Sequence, residues 1–94
     1  ELTAEVGCCT PAIVVPGRFA AHGLRALAAQ LAAYTANNGG ATCVAPRVLI
    51  CAADWPERTA FEQALAAAFA QLPARVPFHP AARGDYATAT GNVA

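Results

Sequence analysis

Four thiols carry most of the chemical potential of this sequence, and the surroundings of one of them are distinctive. Cys43 follows the stretch NNGG and comes shortly before the apolar run VLIC, a setting that is not shared by Cys8, Cys9 or Cys51. A glycine-rich turn leaves room for a ligand, and a buried strand holds the backbone that follows it. Because a thiolate is a strong nucleophile, this position makes Cys43 a candidate catalytic residue. For this stretch taken alone, a buried packing thiol is the favoured alternative.

A carboxylate is the second candidate for chemistry. Glu5 lies shortly before a proline-bounded apolar run, where it could act as a general base toward water or a thiol; the alternative is a solvated residue near a chain terminus. We interpret His22 and His79 as surface or loop residues, and Trp55 and Tyr86 as packing or edge aromatics. The cysteines and histidines show no CxxC or HxxxH spacing, so the sequence predicts no metal site.

The charge balance excludes several classes of partner. Six arginines offset six acidic residues and there is no lysine, so no basic surface is available for nucleic acid or anionic lipid. No apolar segment approaches the roughly 18 to 20 residues that span a bilayer, and the first residues lack a basic secretory signal. We therefore expect a cytoplasmic protein that contacts neither nucleic acid nor membrane.

Alanine dominates the apolar residues of the 94-residue chain. Hydrophobic residues make up 56% of the sequence, but 26 of them are alanines, which favour helix and add little buried surface. A domain of this length also has a thin core. We therefore expect part of the surface that stabilises this chain to lie on polypeptide outside it.

The first half of the chain predicts a strand followed by a helix. The run PAIVVPG is rich in β-branched residues and bounded by prolines, which is typical of a buried strand at residues 12–15. A helix is predicted over residues 19–35, and the stretch NNGG supplies its stop. The residues at helical spacing that predict its buried face are Leu24, Leu27, Ala28, Leu31 and Tyr34.

The second half repeats this order. The run RVLIC predicts a strand at residues 47–51. A second helix is predicted to start with Asp54 as its cap, Pro56 in the first turn and Glu57 near its positive end, and to stop at Pro73. One apolar stripe along it is predicted from Phe61, Leu65, Phe69 and Leu72.

These elements together predict an α/β fold. Strands that alternate with helices of this length imply a parallel strand pair joined by a right-handed crossover. Both strands are apolar throughout, which predicts that both faces of the sheet are covered. Residues 73–94 are broken by several prolines and glycines, and we predict an irregular tail there.

Two stretches in this order carry a family resemblance. The segment AEVGCCTPAIVV contains Glu5, Gly7 and Pro11, and the segment NGGATC leads to Cys43 about a helix and a loop later. They resemble the two signatures of the aldehyde dehydrogenase superfamily: LELGGKSP before an apolar strand, and the asparagine- and glycine-containing run that ends in the nucleophilic cysteine. The resemblance covers roughly residues 4–72.

The resemblance implies an activity and a set of site residues. In that family the cysteine attacks an aldehyde, the thiohemiacetal loses hydride to NAD or NADP, and the glutamate helps water to hydrolyse the thioester. Carried over, Cys43 is the nucleophile, its backbone N–H is an oxyanion donor, Glu5 is the base and Gly7 approaches the cofactor.

The departures from the family pattern indicate a divergent branch. Cys8, Cys9 and Ala41 stand where the family has a glycine, a lysine and a glutamine. The sequence has no GxGxxG, so we expect NAD or NADP to be held by a cofactor domain outside it and not by this chain alone. We therefore expect residues 1–94 to be part of a catalytic domain, whose partners are an aldehyde substrate and either the rest of the polypeptide or further copies of itself.

Two alternatives belong to other classes of protein. The first is a stand-alone α/β module that binds a partner through its alanine-rich helices and has no catalytic role. The second is a thiol-redox protein that uses Cys8 and Cys9, which is less favoured because reactive cysteine pairs normally have two residues between them.

Overall fold

A parallel pair of strands forms the centre of the fold, as the sequence predicts. The computed structural model describes residues 1–3, 9–75 and 81–91. Strand β1 spans Thr10–Val14 and strand β2 spans Pro46–Cys51; they pair in parallel, with Ile13 opposite Ile50. The predicted α/β class and parallel pairing are confirmed, although β1 begins two residues earlier than predicted and stops one residue earlier.

The crossover between the strands is helix α1, Ala21–Ala36. It begins two residues later than predicted, after an extended Ala20 that offers no side-chain cap. The buried positions are Leu24, Ala28 and Ala32, a spacing of four that puts small residues along one line of the helix. Tyr34, predicted to join the buried face, is instead exposed, and its hydroxyl accepts a hydrogen bond from Gln30.

Helix α2 spans Arg58–Ala70, and the prediction of its start at Asp54 is wrong. The backbone N–H of Arg58 donates to the carbonyl of Trp55, so that Pro56 occupies the second position of a tight turn that precedes the helix. Proline disfavours helical dihedrals in the residue before it, which keeps Trp55 outside the helix. Glu57 is the N-cap and makes no side-chain capping bond.

A third helix, α3, spans Ala82–Gly91, which corrects the prediction of an irregular tail at this position. Gly84 lies inside it and Gly91 ends it, and each of these glycines carries the weak helix propensity on which the irregular tail was predicted. The Thr90 hydroxyl donates to the Tyr86 carbonyl within the helix, and Tyr86 is exposed. No α3 residue whose burial is described belongs to the main buried cluster.

The core lies between one face of the sheet and the two long helices. Its buried residues are Val14 from β1, Leu24 and Ala28 from α1, Trp55 from the loop after β2, and Phe61 from α2. Ala28 is fully buried, and the small side chains of α1 allow the two helices to approach closely. Leu65 packs against this cluster as predicted, but Phe69 is 40% exposed and does not belong to it.

Trp55 joins the two loops that follow the strands. Its indole N–H donates to the carbonyl of Gly17 at 3.1 Å. Its ring meets Phe19 edge-on at a centroid distance of 5.9 Å and Phe61 at 5.7 Å. Such aromatic pairs add to the stabilisation that comes from buried area. The prediction of Trp55 as a packing aromatic is therefore confirmed, and Trp55 is buried rather than at an edge.

The other face of the sheet is open, so the prediction that both faces are covered is wrong for the described residues. Ile13 is 69% exposed, and Val48 and Ile50 lie on the same outer face, also exposed. The helices α1 and α2 contact one another and the inner side only. The outer face of these strands therefore has no covering layer from α1 or α2, although apolar strands of a parallel sheet normally have both faces buried.

Among the described helices, none combines the length and apolar character needed to cross a bilayer.

The difference in burial between two phenylalanines of α2 gives a test of this packing. Phe61→Ala removes a fully buried ring and should lower the free energy of unfolding by about 3 to 5 kcal/mol. Phe69→Ala, at a ring that is 40% exposed, should cost much less. Urea unfolding of the two variants measures the difference, and equal losses would contradict the assignment of Phe61 to the core.

Candidate functional site

Cys43 lies in a tight turn at the amino end of β2. The backbone N–H of Ala45 donates to the carbonyl of Thr42 at 3.2 Å, which places Cys43 at the second position of that turn. Its side chain is exposed, whereas the next small residue on the inner side, Ala45, is buried. The alternative of a buried packing thiol at Cys43 is therefore excluded within this chain.

A turn of residues with left-handed dihedrals connects α1 to the loop that carries Cys43. Asn38, Gly39 and Gly40 have φ angles of 52°, 63° and 78° in succession. Asparagine and glycine are the residues that adopt this region at least cost, which explains why the stretch NNGG stands here. The turn ends α1 as predicted and reverses the direction of the chain within four residues, Asn37–Gly40.

Two side chains donate hydrogen bonds to carbonyls of the loop that carries Cys43. The Thr10 hydroxyl donates to the carbonyl of Cys43 at 2.5 Å, across 33 residues of sequence. The Arg47 guanidinium donates to the carbonyl of Gly40 at 2.6 Å. Sequence reasoning missed both residues. The Thr10 contact depends on the register of the parallel strands, and no local pattern in the sequence encodes it.

Thr42 introduces a polar atom next to the thiol. Its hydroxyl oxygen is buried and makes no hydrogen bond within the described part of the chain.

The other predicted site residues cannot be placed relative to Cys43 by the described part of the chain. Glu5 and Gly7 lie outside the described residues, as do Cys8 and His79, so the proximity of Glu5 to the thiol stays a prediction. Cys9 is exposed and Cys51 is half-buried against the core. Residues 1–3, 9–75 and 81–91 contain no group of three histidine, cysteine or acidic side chains that could hold a metal ion.

A groove of about 530 Å³ lies beside the left-handed turn that leads to Cys43. The last turns of α1 and α2 form its walls, with Ala36, Asn37, Phe69, Leu72 and Arg75 among the lining residues. Gly39 reaches it from the left-handed turn, but Cys43 does not line it. The groove therefore adjoins the loop of the thiol without containing the thiol.

The two described glycine-containing loops next to α1 lack the geometry of a pyrophosphate site. A pyrophosphate binds at the positive amino end of a helix, where backbone N–H groups point outward. Gly39 and Gly40 follow the carboxyl end of α1, which carries the opposite partial charge. Gly17 precedes α1, but its carbonyl is bound to Trp55, and a ring atom of Phe19 lies 3.2 Å from the Cβ position at this glycine. No step of chemistry is therefore assigned to a cofactor bound by these residues.

Comparison of the chain with protein-family models, with curated proteins and with solved structures finds no match.

The two glycines of the turn predict different costs of substitution. Gly39→Ala should destabilise the protein by about 1 to 2 kcal/mol, since only the left-handed dihedrals oppose the new Cβ and no atom lies near it. Gly40→Ala should cost more, because its Cβ would also lie 3.3 Å from the Thr35 carbonyl oxygen. Thermal or urea unfolding compares the two, and a larger loss for Gly39→Ala would contradict the turn geometry.

Proposed function

We propose that this chain supplies the nucleophilic thiol of an aldehyde-oxidising site, as part of an aldehyde-dehydrogenase-like catalytic domain. The observation that supports the proposal is the position of Cys43, which is exposed on a turn whose backbone is bound by side chains from both strands. The choice of aldehyde as substrate rests on the sequence resemblance around Glu5 and Cys43. Geometry and resemblance thus support different parts of the proposal.

The chemistry assigned to this chain begins with the thiolate of Cys43. Its sulfur attacks the carbonyl carbon of an aldehyde, the carbonyl π bond opens, and the oxygen takes the negative charge of a thiohemiacetal. The backbone N–H of Cys43 is the oxyanion donor that the chain itself can offer. A donor fixed in direction stabilises the developing charge more than a mobile one, since it needs no reorganisation during the reaction.

The second half of the reaction is assigned to Glu5. Removal of hydride from the thiohemiacetal requires an acceptor, which the resemblance implies is NAD or NADP held by polypeptide outside this chain. The thioester that results is hydrolysed by water: Glu5 accepts a proton from the water, the new C–O bond forms, and the C–S bond breaks. The products are a carboxylic acid and the thiolate of Cys43, and Glu5 releases the proton it accepted to solvent.

The thiols of the intact protein give the first test. Cys43 should react with iodoacetamide faster than Cys51, which is half-buried, and faster than the exposed Cys9, and an aldehyde substrate should slow that reaction. Peptide mass spectrometry resolves the separate rates. Cys43→Ala should abolish aldehyde oxidation, and Cys51→Ala is the matched control that should retain it. Protection of Cys9 or Cys51 in place of Cys43 would contradict the assignment.

The 94-residue chain by itself gives a second test. We expect it neither to bind NAD or NADP measurably nor to oxidise an aldehyde, because its described loops offer no site for the pyrophosphate. A misplacement of reacting groups by about 1 Å can cost on the order of a hundredfold in rate, so a loosely held cofactor does not suffice. Calorimetric titration with both cofactors, followed by assays with short aliphatic and aromatic aldehydes, measures this. Micromolar binding or steady NADH formation would show the expectation to be wrong.

A second candidate function is a non-catalytic binding module. The observation that favours it is the open outer face of the sheet, where Ile13, Val48 and Ile50 are exposed together. Two variants, Cys43→Ala and Ile13→Asp, separate the two functions. If Cys43→Ala leaves the aldehyde oxidation of the protein unchanged, while Ile13→Asp disrupts its association with a partner, the binding function replaces the catalytic one.

A further inference from the structure

The loop that carries Cys43 is held at two of its carbonyls by side chains from different strands. Thr10 opens β1 and binds the Cys43 carbonyl through its hydroxyl. Arg47 is the second residue of β2 and binds the Gly40 carbonyl through its guanidinium. The main-chain bond from the Ala45 N–H to the Thr42 carbonyl closes the turn that contains Cys43.

These bonds restrict the peptide groups next to Cys43, whose orientation sets the directions of its N–H and of its thiol. The Gly40 carbonyl fixes the peptide plane at the start of the loop, and the Cys43 carbonyl fixes the plane that follows the thiol. A peptide group is planar, and the Thr42 carbonyl, which accepts a hydrogen bond from the Ala45 N–H, belongs to the same peptide group as the Cys43 N–H. The direction of the Cys43 N–H and the Cα–Cβ bond of the thiol are thereby tied to the sheet.

We propose that Thr10 and Arg47 are positioning residues for Cys43, acting through the backbone of residues 40–43. The consequence for reactivity rests on the proposed function of Cys43 as a nucleophile toward aldehydes. The restriction of the loop does not rest on it, because it follows from the hydrogen bonds that Thr10 and Arg47 make. Neither residue touches the reacting atoms in this role.

Hydrogen–deuterium exchange of the intact protein tests the restriction. Thr10→Val keeps the shape of the side chain and removes its hydroxyl. We expect amide exchange over residues 41–45 to become about three- to tenfold faster, the range of one hydrogen bond of ordinary net strength. Thr10→Ser should behave as the parent protein. Exchange in α1 and α2 is the internal control and should stay unchanged.

Arg47→Met is the second variant, and it covers the case in which Thr10→Val does not fold. Arg47 is exposed, so its loss removes the guanidinium without opening the core. We expect faster exchange over residues 40–43 in this variant also. Unchanged exchange over the loop in the variants that fold would overturn the proposal.

Protection of Cys43 by propanal against iodoacetamide tests the consequence for reactivity, and it needs no cofactor. The propanal concentration that halves the alkylation rate should rise about three- to tenfold in Thr10→Val and return to the parent value in Thr10→Ser. A value unchanged in Thr10→Val would overturn the positioning role. If propanal does not protect Cys43 in the parent protein, the proposed function fails, and the exchange measurement alone decides whether the loop is held.

Discussion

The contacts of one indole hold this fold together. Trp55 donates to the Gly17 carbonyl and packs against Phe19 and Phe61, so that the loop after β1, the loop after β2 and the start of α2 meet at one side chain. The helices on either side are rich in alanine and bury little large apolar surface by themselves. The aromatic cluster therefore supplies the large buried apolar surface that the helices lack. It also anchors the loops that follow the two paired strands.

The open sheet face sets the second constraint. A parallel sheet is normally covered on both faces, and a sheet of so few strands is marginal by itself in water. Here the inner face meets α1 and α2, while Ile13, Val48 and Ile50 stay exposed on the other. An apolar surface of this kind favours contact with further protein. The binding proposal uses this face directly, and the catalytic proposal also calls for additional polypeptide beside this chain.

The elements that could be predicted from the sequence are those encoded by local pattern. The β-branched runs around Ile13 and Ile50 predict the strands, and the stretch NNGG predicts the end of α1 because left-handed dihedrals select these residues. The start of α2 was mispredicted because Pro56 suits a tight turn as well as a first helical turn. Thr10 and Arg47 were not predicted as site residues. The contact of Thr10 depends on strand register, which is a property of the assembled sheet.

Parallel pairing also dictates an order of folding. No hairpin can bring β1 and β2 together, since the crossover α1 lies between them and the Thr10 to Cys43 bond closes a loop of 33 residues. Contacts of such sequence separation form slowly compared with the turns of a helix. During synthesis, Thr10 leaves the ribosome long before its partner and must wait for it. The environment of the thiol is thus completed late, after α1 has formed, and the nascent chain carries its cysteines unassembled until β2 has emerged.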